Sequence, residues 1–143
     1  MATPLLEALQ EFSTYAMTAV IWVVQLVQYP GLRRVPSESF SALHRHHCVA
    51  ITPIVAPLMM TELAVAVALL LRPGALPVVV QQLLLGCVLL TWFSTATMQV
   101  PIHRRLARQR NERDLDRLIH SNWIRTAAWS AKTSLLLLAR FAS

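Results

Sequence analysis

The sequence predicts an all-α integral membrane protein, an antiparallel four-helix bundle. Three observations predict it. Of the 143 residues, 55% are hydrophobic and 14% are charged, whereas soluble domains carry about 25% charged residues. The few charges gather between long charge-free stretches. Each apolar stretch also carries a thin polar face at helical spacing. This composition excludes a disordered chain, which is poor in apolar residues. It argues against a soluble α/β enzyme or a disulfide scaffold, and one domain spanning 1–143 is expected.

Residues 12–32 contain no Asp, Glu, Lys or Arg, which places the first helix at roughly 8–29. Glu7 and Glu11 precede the apolar run and no basic cluster does, so it reads as a retained helix and not a cleavable signal. Tyr29-Pro30-Gly31 is expected to end it. Residues 46–61 and 63–71 are charge-free around Glu62. They predict a second helix over 37–71, with Ser37 as N-cap and a bilayer segment from Val49. Pro53 and Pro57 predict a kink, and Arg72-Pro73-Gly74 a sharp end. Residues 73–103 are charge-free and predict a third helix over 76–103. The fourth, 121–141, carries Arg125, Lys132 and Arg140; Ser121 is its expected cap. Its alternative is a surface-lying amphipathic helix. Asn111 to His120 reads as a short amphipathic turn on Leu115, Leu118 and Ile119. A spanning helix needs about 20 mostly apolar residues.

The net charge of +6 reads as membrane sidedness and not as nucleic-acid binding. Arg33, Arg34 and Arg45 join helices one and two. Arg104, Arg105, Arg108, Arg110, Arg113 and Arg117 join three and four. The positive-inside rule then puts both loops in the cytoplasm and both termini outside.

A polar side chain facing lipid is costly, so each polar face is expected to turn inward. The helices alternate in direction. Gln25, Gln28, Tyr29, His44, His47, Gln99, His103, His120, Asn122 and Arg125 then converge at the cytoplasmic mouth. Deeper, Glu62 lies about 20 Å beyond Val49 and Lys132 about 15 Å beyond Asn122 at 1.5 Å per residue. A buried carboxylate and a buried ammonium each need a partner, so Glu62 and Lys132 are expected to pair. The pair reads equally as a register device or as a proton-handling site.

His44-Arg45-His46-His47 offers metal-ligand material. His44 and His47 are three apart on one face, and His103 approaches from the third helix. These three are the candidate metal ligands, and His47 with His103 a candidate haem or metal pair. The alternative is solvated, headgroup-facing histidines and no cofactor. Cys48 and Cys87 fit no zinc or redox spacing and read as small apolar residues. Without a metal, a His at the mouth serves as general base. On this reading His47, His103, Asn122 and Arg125 carry the chemistry, Arg125 stabilising an anion. Gln25, Tyr29, Gln99 and Trp129 position the substrate. Trp22, Trp92 and Trp123 either wall the substrate or form an interfacial belt.

Three strings, Trp22-Val23-Val24-Gln25-Leu26-Val27-Gln28-Tyr29-Pro30, Gln99-Val100-Pro101-Ile102-His103 and Asn122-Trp123-Ile124-Arg125-Thr126 with Trp129, resemble small four-helix bacterial membrane proteins. More distantly, they resemble the anthrone-oxygenase-like membrane family. The resemblance covers roughly half the chain and touches all but the second helix. It implies oxidation of flat polycyclic phenols with oxygen, without a cofactor, in a bacterial inner membrane. The functional expectation is thus an oxidoreductase-like membrane protein acting on a flat apolar or quinone-like molecule. The alternative is an accessory or binding subunit of a larger membrane complex, or a homo-oligomer, whose polar residues only fix packing. A small transporter with Glu62 and Lys132 in its path lacks the internal repeat expected of such folds.

Overall fold

The computed structural model describes residues 2–72 and 76–141. Among them it holds four long helical runs and no strand: α1 (2–32), α2 (Ser37–Leu70), α3 (Val78–Arg108) and α4 (Glu112–Phe141). Each packs on two others, in the cyclic order α1–α2–α3–α4–α1. Two of them, α2 and α3, are long and apolar enough to cross a membrane. Pro73 and Gly74, the expected stop of the second helix, lie outside the described residues.

The usual distribution of side chains is inverted over much of the molecule. Phe12, Val27, Val49, Phe93 and Leu138 are exposed, while Thr14, Gln25, Gln99, Asn122 and Lys132 are buried. An apolar core remains at the arginine-bearing end, where Phe40, Leu106, Leu115 and Leu118 are fully covered.

The third helix, expected over 76–103, runs from Val78 past His103 to Arg108, and three other expected boundaries move. The first helix does not stop at Tyr29-Pro30-Gly31 but runs on to Leu32. Proline lacks an N–H and its ring presses on the carbonyl four residues back. Here each such proline comes just after a π turn, Val24–Gln28 before Pro30 and Thr95–Gln99 before Pro101. In these turns the N–H of Tyr29 reaches back to Val24 O, and that of Val100 to Thr95 O. The extra residue in the turn lets the helix pass the proline and rotates the next segment about the helix axis. Second, Pro36 occupies the N-cap position of α2 and Ser37 is already helical. The helix then continues through Pro53 and Pro57. Third, α4 begins at Glu112, nine residues before the expected cap at Ser121. Its start is capped by Asn111, whose Oδ1 accepts from Asp114 N–H at 3.2 Å. The amphipathic turn on Leu115 and Leu118 is therefore the opening of α4 itself.

The two arginine-bearing connections lie together. Arg110 donates to the carbonyls of Arg33 and Val35 and stacks over Phe40 at 5.5 Å. Arg105 clamps Asp114 through two 2.9 Å hydrogen bonds, fixing the end of α3 to the start of α4. That clamp holds the Asp114 carboxyl below its ordinary pKa. At the other end of the molecule Arg140 pairs with Glu11 at 2.6 Å.

Candidate functional site

The two π turns deliver the polar residues of α1 and α3 to one place. Gln25 lies in the first and Tyr29 directly after it; Gln99 lies in the second and His103 four residues beyond it; Gln25, Tyr29 and Gln99 are almost fully buried. Tyr29 Oη lies 3.1 Å from His103 Nε2 and 3.5 Å from Gln99 Oε1. His103 Nδ1 lies 2.9 Å from His44 Nε2 of α2. Gln99 Nε2 in turn donates to Ser121 Oγ of α4 at 2.9 Å. A continuous chain of hydrogen-bonding groups therefore joins all four helices. His47 stands beside it, its Nδ1 accepting from Gln28 Nε2 at 3.0 Å. That bond leaves the proton of a neutral His47 on Nε2.

Against this chain lies a cavity of about 540 Å³. Its polar end is formed by Tyr29, His47, Cys48, Gln99, His103 and Arg125. Its body is apolar: Met17, Ile21, Ile51, Val55, Met59 and Trp92. Thr52 and Met60 of α2 and Val100 and Arg104 of α3 line it and are themselves exposed, so it opens sideways between these helices. Trp92 Nε1 is buried on this wall without a hydrogen-bond partner among the described residues.

Arg125 is the unusual group. It is 6% exposed, yet none of the ion pairs among the described residues includes it. Its Nη1 donates to Asn122 Oδ1 at 3.1 Å, and its guanidinium lies 5.2 Å from the Trp129 ring centre. Its Nε has no partner among the described residues. A buried cation without a counter-charge is expensive, and one that lines a cavity can be balanced by an anionic ligand.

Gln25, Asn122 and Trp129 do not line this cavity, contrary to the roles expected of them. Asn122 is fully buried and donates through Nδ2 to Gln25 Oε1 at 2.8 Å, while its own Oδ1 holds Arg125. Gln25 Nε2 donates to Ile119 O at 3.2 Å. Both therefore stand behind Arg125, Asn122 in contact with it and Gln25 in contact with Asn122. Trp129 faces away from the cavity toward Glu62, to whose Oε2 its indole N–H donates at 2.6 Å. Of the four tryptophans only Trp92 walls the cavity; Trp22 and Trp123 meet edge to face at 5.7 Å near the surface. His120 is exposed and lies apart from the cluster.

The structure brings Glu62 and Lys132 together. Lys132 Nζ lies 2.7 Å from Glu62 Oε1, which also accepts from Thr14 Oγ1 at 3.0 Å. With Trp129 on the other oxygen, the carboxylate accepts three hydrogen bonds from two other helices. All four side chains are at most 1% exposed.

The expected metal trio changes in one member. His47 is turned toward Gln28, and its ring centre stands 6.5 Å from that of His103. Cys48 takes its place: its Sγ lies 3.6 Å from His103 Nδ1 and 3.9 Å from His44 Nε2. Sequence reasoning passed over Cys48, although it lies one helical turn after His44. His44 and His103 touch directly, Nε2 to Nδ1 at 2.9 Å.

Compared with protein-family models, curated proteins and solved structures, the chain matches none. The anthrone-oxygenase-like resemblance accordingly rests on the three short strings alone.

Proposed function

We propose that this chain is an antiparallel four-helix membrane bundle that binds a flat phenolic or quinol-like molecule in its lateral cavity and promotes its oxidation. The reading rests on Arg125, a buried cation without a carboxylate partner among the described residues, at the polar end of an apolar cavity. Membrane insertion is supported by the apolar exterior and by the two helices long enough to span. Both arginine-rich connections lie at one end, so the positive-inside rule gives that end to the cytoplasm and both termini to the outside.

On this reading the ligand enters sideways from the bilayer between α2 and α3. Its rings lie against Ile51, Val55, Met59 and Trp92. Its oxygen meets Arg125, which stabilises the phenolate more than the phenol. The phenolic proton passes to the Tyr29–His103–His44 chain, and His47 donates its Nε2 proton to a second oxygen. The phenolate is the electron-rich form that dioxygen, the acceptor implied by the resemblance, would oxidise.

The test is titration of the purified protein with a hydroxynaphthoquinone, and then oxygen uptake with polycyclic phenols. Binding should produce the phenolate absorption band. Arg125→Gln should weaken binding about 10- to 150-fold, the worth of one charge-assisted hydrogen bond at about 1.5–3 kcal/mol. No binding by the native protein, with copurification of large membrane partners instead, would favour the accessory-subunit reading. The fully satisfied Glu62 layer already has the character of a packing element.

A further inference from the structure

We propose that His44, Cys48 and His103 form a mononuclear site for a zinc-class divalent ion, with its fourth position open to the cavity. The three donor atoms belong to two helices. His44 and Cys48 are four residues apart on α2, and one face presents both. His103 comes from α3, four residues beyond the π turn that ends at Gln99. The site stands on these distances and not on the phenolic reading above.

The spacing of the donors carries the inference. An ion about 2.05 Å from nitrogen and about 2.3 Å from sulfur, held tetrahedrally, sets nitrogens about 3.3 Å apart and nitrogen and sulfur about 3.5 Å apart. The observed separations are 2.9 Å between the nitrogens and 3.6 and 3.9 Å to sulfur. A point about 2.05 Å from both nitrogens and about 2.3 Å from sulfur exists a little out of the plane of the three atoms. Shifts of a few tenths of an ångström convert the trio into a coordination set. No backbone movement is required.

The surroundings of His103 and Cys48 fit a ligated trio, while His44 Nδ1 is buried without a hydrogen-bond partner among the described residues. With Nδ1 on the ion, His103 carries its proton on Nε2 and donates it to Tyr29 Oη at 3.1 Å. Ligating histidines characteristically anchor their second nitrogen in this way. Cys48 and His103 line the cavity, so the open position faces the space where a ligand would sit. Three protein ligands with one open position are the pattern of catalytic and not structural zinc. A thiolate leaves the ion one net positive charge, which favours hydroxide or another anionic oxygen as the fourth ligand. One thiolate and two imidazoles select zinc-class over magnesium-class ions.

The test uses the full chain in detergent, stripped with chelator and titrated with Co2+ as a spectroscopic stand-in for Zn2+. The expected result is one Co2+ per chain, with the visible bands of a tetrahedral site and a near-ultraviolet thiolate charge-transfer band, both removed by Zn2+. Cys48→Ser should abolish the charge-transfer band and weaken binding at least tenfold. His103→Ala should do the same to affinity, whereas His47→Ala and the exposed His46→Ala should leave it unchanged. Arg125→Gln should lose the hydroxynaphthoquinone but keep Co2+, so the two readings can fail separately. Should a variant not fold, alkylation of the native protein decides: Zn2+ should protect Cys48, read by peptide mass spectrometry, and leave Cys87 reactive. Sub-stoichiometric Co2+ binding, binding indifferent to Cys48→Ser, or equal alkylation of Cys48 with and without Zn2+ would overturn the site.

Discussion

Replacing Lys132 by Met leaves the Glu62 carboxylate, 1% exposed, with only the Thr14 hydroxyl and the Trp129 indole as donors. Removing one partner of a buried ion pair costs about 3–5 kcal/mol, because the other charge is stranded. Glu62→Gln strands the ammonium and falls in the same range. If the two residues acted independently, the double variant would lose both amounts. The 2.7 Å contact couples them. With both charges gone, the amide oxygen that Glu62→Gln introduces still accepts from Thr14 or Trp129, and the Met side chain fills most of the lysine volume. The double variant should therefore be no less stable than the worse single variant, a coupling of at least about 3 kcal/mol. At this chain length 1 kcal/mol moves Tm by about 3–4 °C, so each single change should lower Tm by about 10–20 °C. Thermal unfolding in one detergent, monitored by circular dichroism, reads all four proteins. Additive losses would refute the reasoning and leave Glu62 and Lys132 as two separately satisfied groups.

The same contacts give three further outcomes. Asn122→Asp puts a carboxylate beside Arg125 and should cut affinity for a hydroxynaphthoquinone at least tenfold while the fold persists, measured by titration and melting. Trp129→Phe removes the donor to Glu62 Oε2 and should cost about 1.5–3 kcal/mol in unfolding free energy, the worth of a hydrogen bond to a charged group. Arg105 holds the Asp114 carboxyl below its ordinary pKa, so its contribution is complete above the unfolded value of about 4 and is lost as pH falls through the lower folded value. The stability gap between the native protein and Asp114→Asn should accordingly be constant above about pH 5 and close below about pH 4.

The helices were legible because charges are scarce and, apart from Glu62, Arg125 and Lys132, mostly gather toward the turns. The start of α4 was not, because the charged run from Asn111 to His120 reads as a separate amphipathic turn unless Asn111 is seen as the cap of one continuous helix. The continuation of α1 past Pro30 and the rotation it imposes depend on a π turn, which leaves no periodicity to read. Glu62 and Lys132 could be paired from sequence since a lone charge in an apolar helix has few other outlets. Trp129, Asn122 and Gln25 share a helical face with the site, but helical spacing does not say whether a side chain meets a cavity or a neighbouring residue. Cys48 was missed for a related reason: its chemistry emerges only when His103 arrives from another helix.

The most direct test of the central claim is to locate the ligand. A photoreactive polycyclic phenol should label peptides carrying 47–60 of α2 and 92–104 of α3. Labelling should be competed by unlabelled hydroxynaphthoquinone and lost in Arg125→Gln. Label spread over the outward apolar surface around Phe12 and Leu138, or unaffected by Arg125→Gln, would contradict a cavity that recognises an anionic oxygen.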